Sequence, residues 1–131
     1  MTRNEVYNEI KQTLGIVPEF IQQLSDETLE LEWKLFVASQ FTEGAIPNKY
    51  RELIGVAVAA IMHCKYCSYF HVAAAKLNGA TDAEIEDAVH FAKSGAGWST
   101  YINGLQLDFN QFKSEVDAIC NHIKSQASAA A

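Results

Sequence analysis

Proline is scarce in this chain of 131 residues: only Pro18 and Pro47 occur. Helices are therefore interrupted at few places, and no proline-rich linker divides the chain. Sustained alternation of apolar and polar residues is also lacking, which argues against half-buried strands. Positive charge is in deficit: 10 Lys and Arg face 16 Asp and Glu, for a net charge of −6. That balance excludes nucleic acid and anionic membrane as main partners. The apolar run from Ile54 to Met62 is too short to span a bilayer. The first residues, Met1-Thr2-Arg3-Asn4-Glu5, do not read as a secretory leader. A cytoplasmic location is the expectation. Cysteine is sparse and odd in number, at three. In a reducing compartment a close cysteine pair is more often catalytic or metal-binding than a static bridge.

What is present reads as an all-α fold in one domain, residues 1–131, long enough to bury a core. Thr2 and Glu5 form a capping box, Val6, Ile10 and Leu14 an apolar stripe, and Gly15 a C-terminal stop. Pro18 opens a short helix carrying Phe20, Ile21 and Leu24. Ser25 or Asp26 starts a third, with Leu29, Trp33, Phe36 and Val37 on one face. Residues 42–47 read as a loop.

From Pro47 to Asn78 the only breaker is Gly55. One helix of that span would reach about 48 Å at roughly 1.5 Å per residue, against about 30 Å for the width of a domain this size. A break near His63-Cys64 is therefore predicted, with His63 a structural residue at the junction. Asn78-Gly79 ends the following helix. Thr81 with Glu84 is a second capping box, opening a helix striped by Ile85, Ala88, Val89, Ala92 and Ala96. Gly95, Gly97 and Gly104 suggest close packing or a kink in its later part. Phe112, Val116, Ile119 and Ile123 stripe a last helix, which places Cys120 in the core; Trp98 is expected as a packing anchor. Residues 126–131 read as a frayed tail. The stretch Ile54 to Met62 is apolar all round, which suggests burial between subunits.

The chemistry concentrates in Cys64-Lys65-Tyr66-Cys67-Ser68-Tyr69-Phe70-His71, with Glu52 twelve residues before Cys64. Thiols three apart can close into a disulfide and reopen. Cys64, Cys67 and His71 fall along one helical face. A helix starting near Cys64 favours a thiolate there, and Lys65 adds positive charge. Cys67 has another activator, since His71 one turn later can take its proton. Glu52 can orient His71, but only a break or a second subunit brings it near: along one straight helix it would lie about 18 Å from Cys64. Both thiols stand as nucleophile candidates on these grounds.

Glu52, the CxxC at Cys64-Lys65-Tyr66-Cys67 and His71, with flanking Arg51-Glu52-Leu53-Ile54-Gly55 and Gly79-Ala80-Thr81-Asp82, resemble the alkylhydroperoxidase AhpD-like family, also called the carboxymuconolactone decarboxylase family. The resemblance is strongest over about residues 45–100. It implies an AhpD-like helical subunit, its CxxC at or near a helix N-terminus in a shallow pocket, assembling into trimers or hexamers. It implies that Cys67 attacks peroxide, that Cys64 closes the disulfide, and that Glu52 and His71 relay the proton. It implies no tightly bound cofactor, reduction by an external lipoyl-type dithiol, and a peroxiredoxin or lipoyl protein as partner. The chain departs from AhpD in carrying Tyr66 where a histidine precedes the second cysteine. Tyr66 donates a hydrogen bond but is no base near neutrality, which bears on the peroxidase rate. The reading is a thiol-dependent antioxidant enzyme reducing peroxides or a partner disulfide. The alternatives are a non-redox decarboxylase-like enzyme and a zinc-bound assembly protein held by Cys64, Cys67, His71 and Glu52.

Overall fold

The computed structural model describes residues 1–130, and among these there are helices and no strands. The chain divides into two compact units, Met1–Arg51 and a second from Glu52 onward.

In the first unit, α1 (Arg3–Leu14), α2 (Glu19–Gln22) and α3 (Asp26–Phe36) gather around one apolar cluster. The Thr2–Glu5 capping box opens α1, and Gly15 closes it at φ 79°, a left-handed turn that a glycine takes without penalty. Pro18 stands just before α2, and Ser25 just before α3. The apolar stripes then converge: Val6 and Ile10 of α1, Ile21 of α2, and Leu29 and Trp33 of α3 are all buried. Burial of each such side chain stabilises the unit by about 1.5–3 kcal/mol.

One local feature lies outside the sequence reading. After α3 the chain widens into a π-helical turn, Val37–Phe41, closed by Thr42 N–H on the Val37 carbonyl at 3.1 Å. Such turns leave carbonyls poorly served by the helix itself. Here the Arg51 guanidinium donates to the carbonyls of Ser39 and Thr42.

The break is where the length argument put it: α4 runs Asn48–Ile61 and α5 Lys65–Leu77. His63 takes a left-handed φ of 54°. Its N–H reaches the Ala60 carbonyl at 3.2 Å, and Cys64 N–H reaches that of Ala59 at 3.0 Å. This pair of bonds is a Schellman cap with His63 in the place glycine usually holds. His63 is thus structural, as expected. In the second unit α5 ends at Asn78, and Gly79 turns left-handed at φ 86°. The Thr81–Glu84 capping box then opens α6, Asp82–Gly104.

Two expectations are corrected in the last two helices. α7 (Phe109–Ala129) includes residues 126–129 of the stretch read as a tail. Its alanine-rich end contains no breaker, and the Ala130 N–H still bonds the Gln126 carbonyl at 3.2 Å; residue 131 lies outside the described residues. Cys120 is exposed rather than in a core. Trp98 is exposed too, meeting the Tyr101 ring edge-on. The stripes on α6 and α7 are real, but no residue of either helix is buried in this chain. α6 also runs unbroken past Gly95 and Gly97, and a Cβ at either would meet nothing within 4 Å. Those glycines therefore do not serve close packing within the chain.

Candidate functional site

The break at His63 makes one residue serve two helices. Cys64 completes the cap of α4 and is itself the N-cap of α5. In the N-cap position its side chain points back at the first turn, where an oxygen of Ser, Thr or Asp usually accepts a backbone N–H. Here the Cys64 sulfur accepts the Cys67 N–H at 3.2 Å. The two sulfurs lie 2.7 Å apart, inside ordinary van der Waals contact, and both residues are half-buried.

This geometry separates the two thiols. The Cys64 thiol is held below its ordinary range, first by the hydrogen bond from the Cys67 side chain and then by the Cys67 and Tyr66 backbone N–H groups. The Cys67 thiol is pushed up, chiefly because its proton serves that hydrogen bond to Cys64. Backbone N–H groups at the helix end thus add to the lowering of the Cys64 thiol, after the larger effect of the Cys67 side chain. Lys65 contributes differently from expectation: its ammonium sits 5.2 Å over the Tyr66 ring and is not among the causes of the Cys64 shift.

A prediction follows with a definite sign. Thiolate is the form that alkylates, and its fraction rises with pH. As pH is raised, Cys64 is expected to react with iodoacetamide before Cys67. A Cys67→Ala substitution should move the Cys64 midpoint upward, because the S–H donor is gone. Peptide mapping by mass spectrometry at a series of pH values reads both; the reverse order of reaction would contradict the arrangement.

The carboxylate and the histidine meet as the break allows. Glu52 of α4 is 5% exposed, and its Oε2 lies 2.7 Å from Nδ1 of His71 on α5. A carboxylate only accepts, so Nδ1–H donates to it; in the neutral ring the other nitrogen then carries the lone pair. His71 follows Cys67 by one turn on α5, the spacing at which side chains are neighbours on a helix surface. All four sequence-predicted residues therefore belong to the two helices joined at His63, Glu52 in the first half of α4 and the other three at the start and middle of α5. Among the described residues no three His, Cys, Asp or Glu side chains gather as a metal-binding cluster. The zinc reading is left without a converging ligand set in this chain.

Two features escaped the sequence reading. A hollow of about 570 Å³ runs along the neighbouring face of α5, lined by Lys65, Ser68, Tyr69, Val72, Ala73 and Lys76. It is next to the thiol pair, and neither cysteine lines it. The second is Gly55, against whose Cα the His71 ring packs. Its signal was available: a lone glycine inside an apolar helix, one turn after Glu52.

With an all-helical fold, a CxxC capping a helix and a Glu–His pair with a buried carboxylate established, the comparisons with known proteins are specific. The model of the carboxymuconolactone decarboxylase family matches residues 28–107. The chain belongs to that family. Among solved structures it is similar to the alkylhydroperoxidase AhpD core from Rhodospirillum rubrum, with a TM-score of 0.70, 26% identity and 80% of each chain covered. Among curated proteins it is 36% identical over 62 residues to uncharacterized protein 4 in the cox locus of Paracoccus denitrificans. That match covers 45% of this chain and 56% of the relative, so the chain spans little more than half that protein's length. No helix among the described residues is long and apolar enough to cross a membrane.

Proposed function

We propose that this protein is a thiol-dependent oxidoreductase that reduces a peroxide, or a partner disulfide, through Cys64 and Cys67. The observation that carries the reading is the pair of sulfurs 2.7 Å apart at a helix N-terminus, joined to helices that also hold the Glu52–His71 hydrogen bond. Cys64 is the more acidic thiol of the pair and Cys67 the less acidic. Neutral His71, held by Glu52, takes the Cys67 proton and becomes imidazolium, which leaves Cys67 as the attacking thiolate. It breaks the O–O bond of the hydroperoxide and becomes a sulfenic acid, while the alkoxide takes a proton from the His71 imidazolium, supported by Glu52. Cys64 then displaces the hydroxyl as water and closes the disulfide. A lipoyl-type dithiol from a small molecule or partner protein reopens it by two exchanges. The sum is one hydroperoxide and one dithiol converted to alcohol, water and one disulfide. The cycle needs no bound metal or organic cofactor, and it suits the cytoplasm, where dithiols are kept reduced.

Peroxide consumption driven by dihydrolipoamide tests this reading, with Cys67→Ser and Cys64→Ser as comparisons. No turnover in a protein with titratable free thiols would move the assignment to the non-redox chemistry of the family.

We further propose a homo-oligomer, trimer or hexamer. The supporting observation is the apolar side chains that α6, α7 and the turn between them leave exposed, including Phe91, Trp98, Leu105, Phe109 and Ile123. Exposure on that scale marks an interaction face. Sedimentation equilibrium at micromolar concentration should give three or six times the 14.5 kDa chain mass. A monomer throughout would remove this part of the proposal.

A further inference from the structure

Helix α4 is apolar and regular, and glycine is a poor choice for its middle. In a helix interior glycine is less favourable than alanine by about 1 kcal/mol. Gly55 has no left-handed φ to justify it, since only Gly15 and Gly79 among the glycines are positive. What distinguishes Gly55 is a neighbour. A Cβ built on it would lie 2.4 Å from Nδ1, 2.6 Å from Cγ and 2.7 Å from Cε1 of His71. By contrast, Gly95 and Gly97, also within a long helix, would meet nothing within 4 Å.

We infer that Gly55 is a positioning residue: the space left by its missing side chain seats the His71 imidazole and thereby sets the Glu52–His71 hydrogen bond. The inference rests on the proposed function only in assigning that pair to proton transfer; the packing itself stands apart from it. Nδ1 is at once the ring atom nearest the absent Cβ and the atom bonded to Glu52. Glu52 and Gly55 are three residues apart and so project from one side of α4. The ring therefore reaches the carboxylate across the bare Cα of residue 55. Carbon atoms pack at about 3.5–4.0 Å, so an alanine methyl would drive the ring off by roughly 1 Å. A bond that starts at 2.7 Å then exceeds the length at which N–H···O bonds hold. The ring also meets Phe70 edge-on, at 5.2 Å between centroids.

The test is the tautomer of neutral His71, read from its ring ¹⁵N shifts in the full chain, for wild type, Gly55→Ala and Gly97→Ala. Wild type and Gly97→Ala are expected to hold the Nδ1–H form, and Gly55→Ala to shift toward Nε2–H. Retention of the Nδ1–H form with unchanged shifts in Gly55→Ala would overturn the inference, as would its absence from wild type. The melting temperature supplies a second reading that covers a poorly folded variant. Gly55→Ala should lower it in the wild-type background and raise it in a His71→Ala background, where the ring is gone and only the helix preference remains. Equal effects in both backgrounds, or failure to fold in both, would show that the glycine serves something other than His71. None of these readings depends on peroxide turnover. A protein with the expected tautomers and no peroxidase activity would refute the proposed function while leaving Gly55 as the seat of the ring.

Discussion

Cys67→Ser is expected to lower dithiol-driven peroxide turnover on the order of 10³-fold or more, because it removes the atom that attacks the O–O bond. A serine hydroxyl does not become the soft, polarizable anion that the displacement needs. Cys64→Ser is expected to abolish efficient cycling by a different route. Cys67 would still be oxidised, but its sulfenic acid would have no internal thiol to close on. That variant should therefore consume about one equivalent of peroxide per chain and then stall, with the sulfenic acid trappable by dimedone. Only the Cys67 variant should lack the trappable adduct. The electrostatics of the pair make this a demanding experiment, since Cys64 is the thiol held low and Cys67 the one pushed up. If Cys64 were the attacking group, the two variants would exchange behaviours, and Cys67→Ser would carry the single-equivalent oxidation.

Thiol acidity and attacking role need not coincide. A low thiolate pKa raises the thiolate fraction but weakens its nucleophilicity. Cys64, whose sulfur accepts the Cys67 N–H at 3.2 Å, is the thiol held low, and its thiolate has one lone pair already engaged. Cys67 carries no such backbone restraint from Cys64 and stands one turn from His71, which can supply the proton the leaving alkoxide requires. In exchange with a disulfide no peroxide oxygen leaves, and the more acidic thiol gains in importance. Peroxide reduction and disulfide exchange can thus draw on different members of one pair.

The elements that the sequence marked with their own local chemistry appear where they were read. Thr2 with Glu5, Gly15, and Thr81 with Glu84 each satisfy backbone groups within a few residues, so their signals need no tertiary context. The break at His63 followed from length alone; its Schellman geometry did not, because the left-handed position is filled by a histidine rather than a glycine. The encounter of Glu52 with His71 was legible once a break was granted, since two helices joined at a short turn bring their facing sides together. Covering was not legible. An apolar stripe tells which side of a helix avoids water and is silent on what lies against it. Trp98 and Cys120 were accordingly placed in a core that this chain does not build around them. The π-helical turn at Val37–Phe41 was equally invisible. Its residues carry no breaker, and the Arg51 bonds to the Ser39 and Thr42 carbonyls come from ten or so residues downstream.

His71→Ala is expected to destabilise the fold by about 3 kcal/mol, the scale set by breaking a buried pair and stranding one partner. The asymmetry of burial decides the size. Glu52's side chain is 6% exposed, whereas that of His71 is 21% exposed, so loss of the ring leaves the deeper group without its hydrogen-bond partner. Glu52→Gln should cost far less, about 1 kcal/mol, because the amide oxygen still accepts from Nδ1–H and no buried carboxylate is stranded. Replacing both residues together, with Glu52→Leu and His71→Leu, should recover much of the His71→Ala loss, since apolar groups of similar volume need no partner. Urea unfolding at fixed protein concentration measures all three. With a slope of about 1–3 kcal/mol per molar urea, a 3 kcal/mol loss moves the midpoint by roughly 1–3 M. A shift no larger for His71→Ala than for Glu52→Gln would mean that water reaches the carboxylate when the ring leaves. The Glu52–His71 bond would then be a surface contact, and the proton relay would lose the buried carboxylate that orients its histidine.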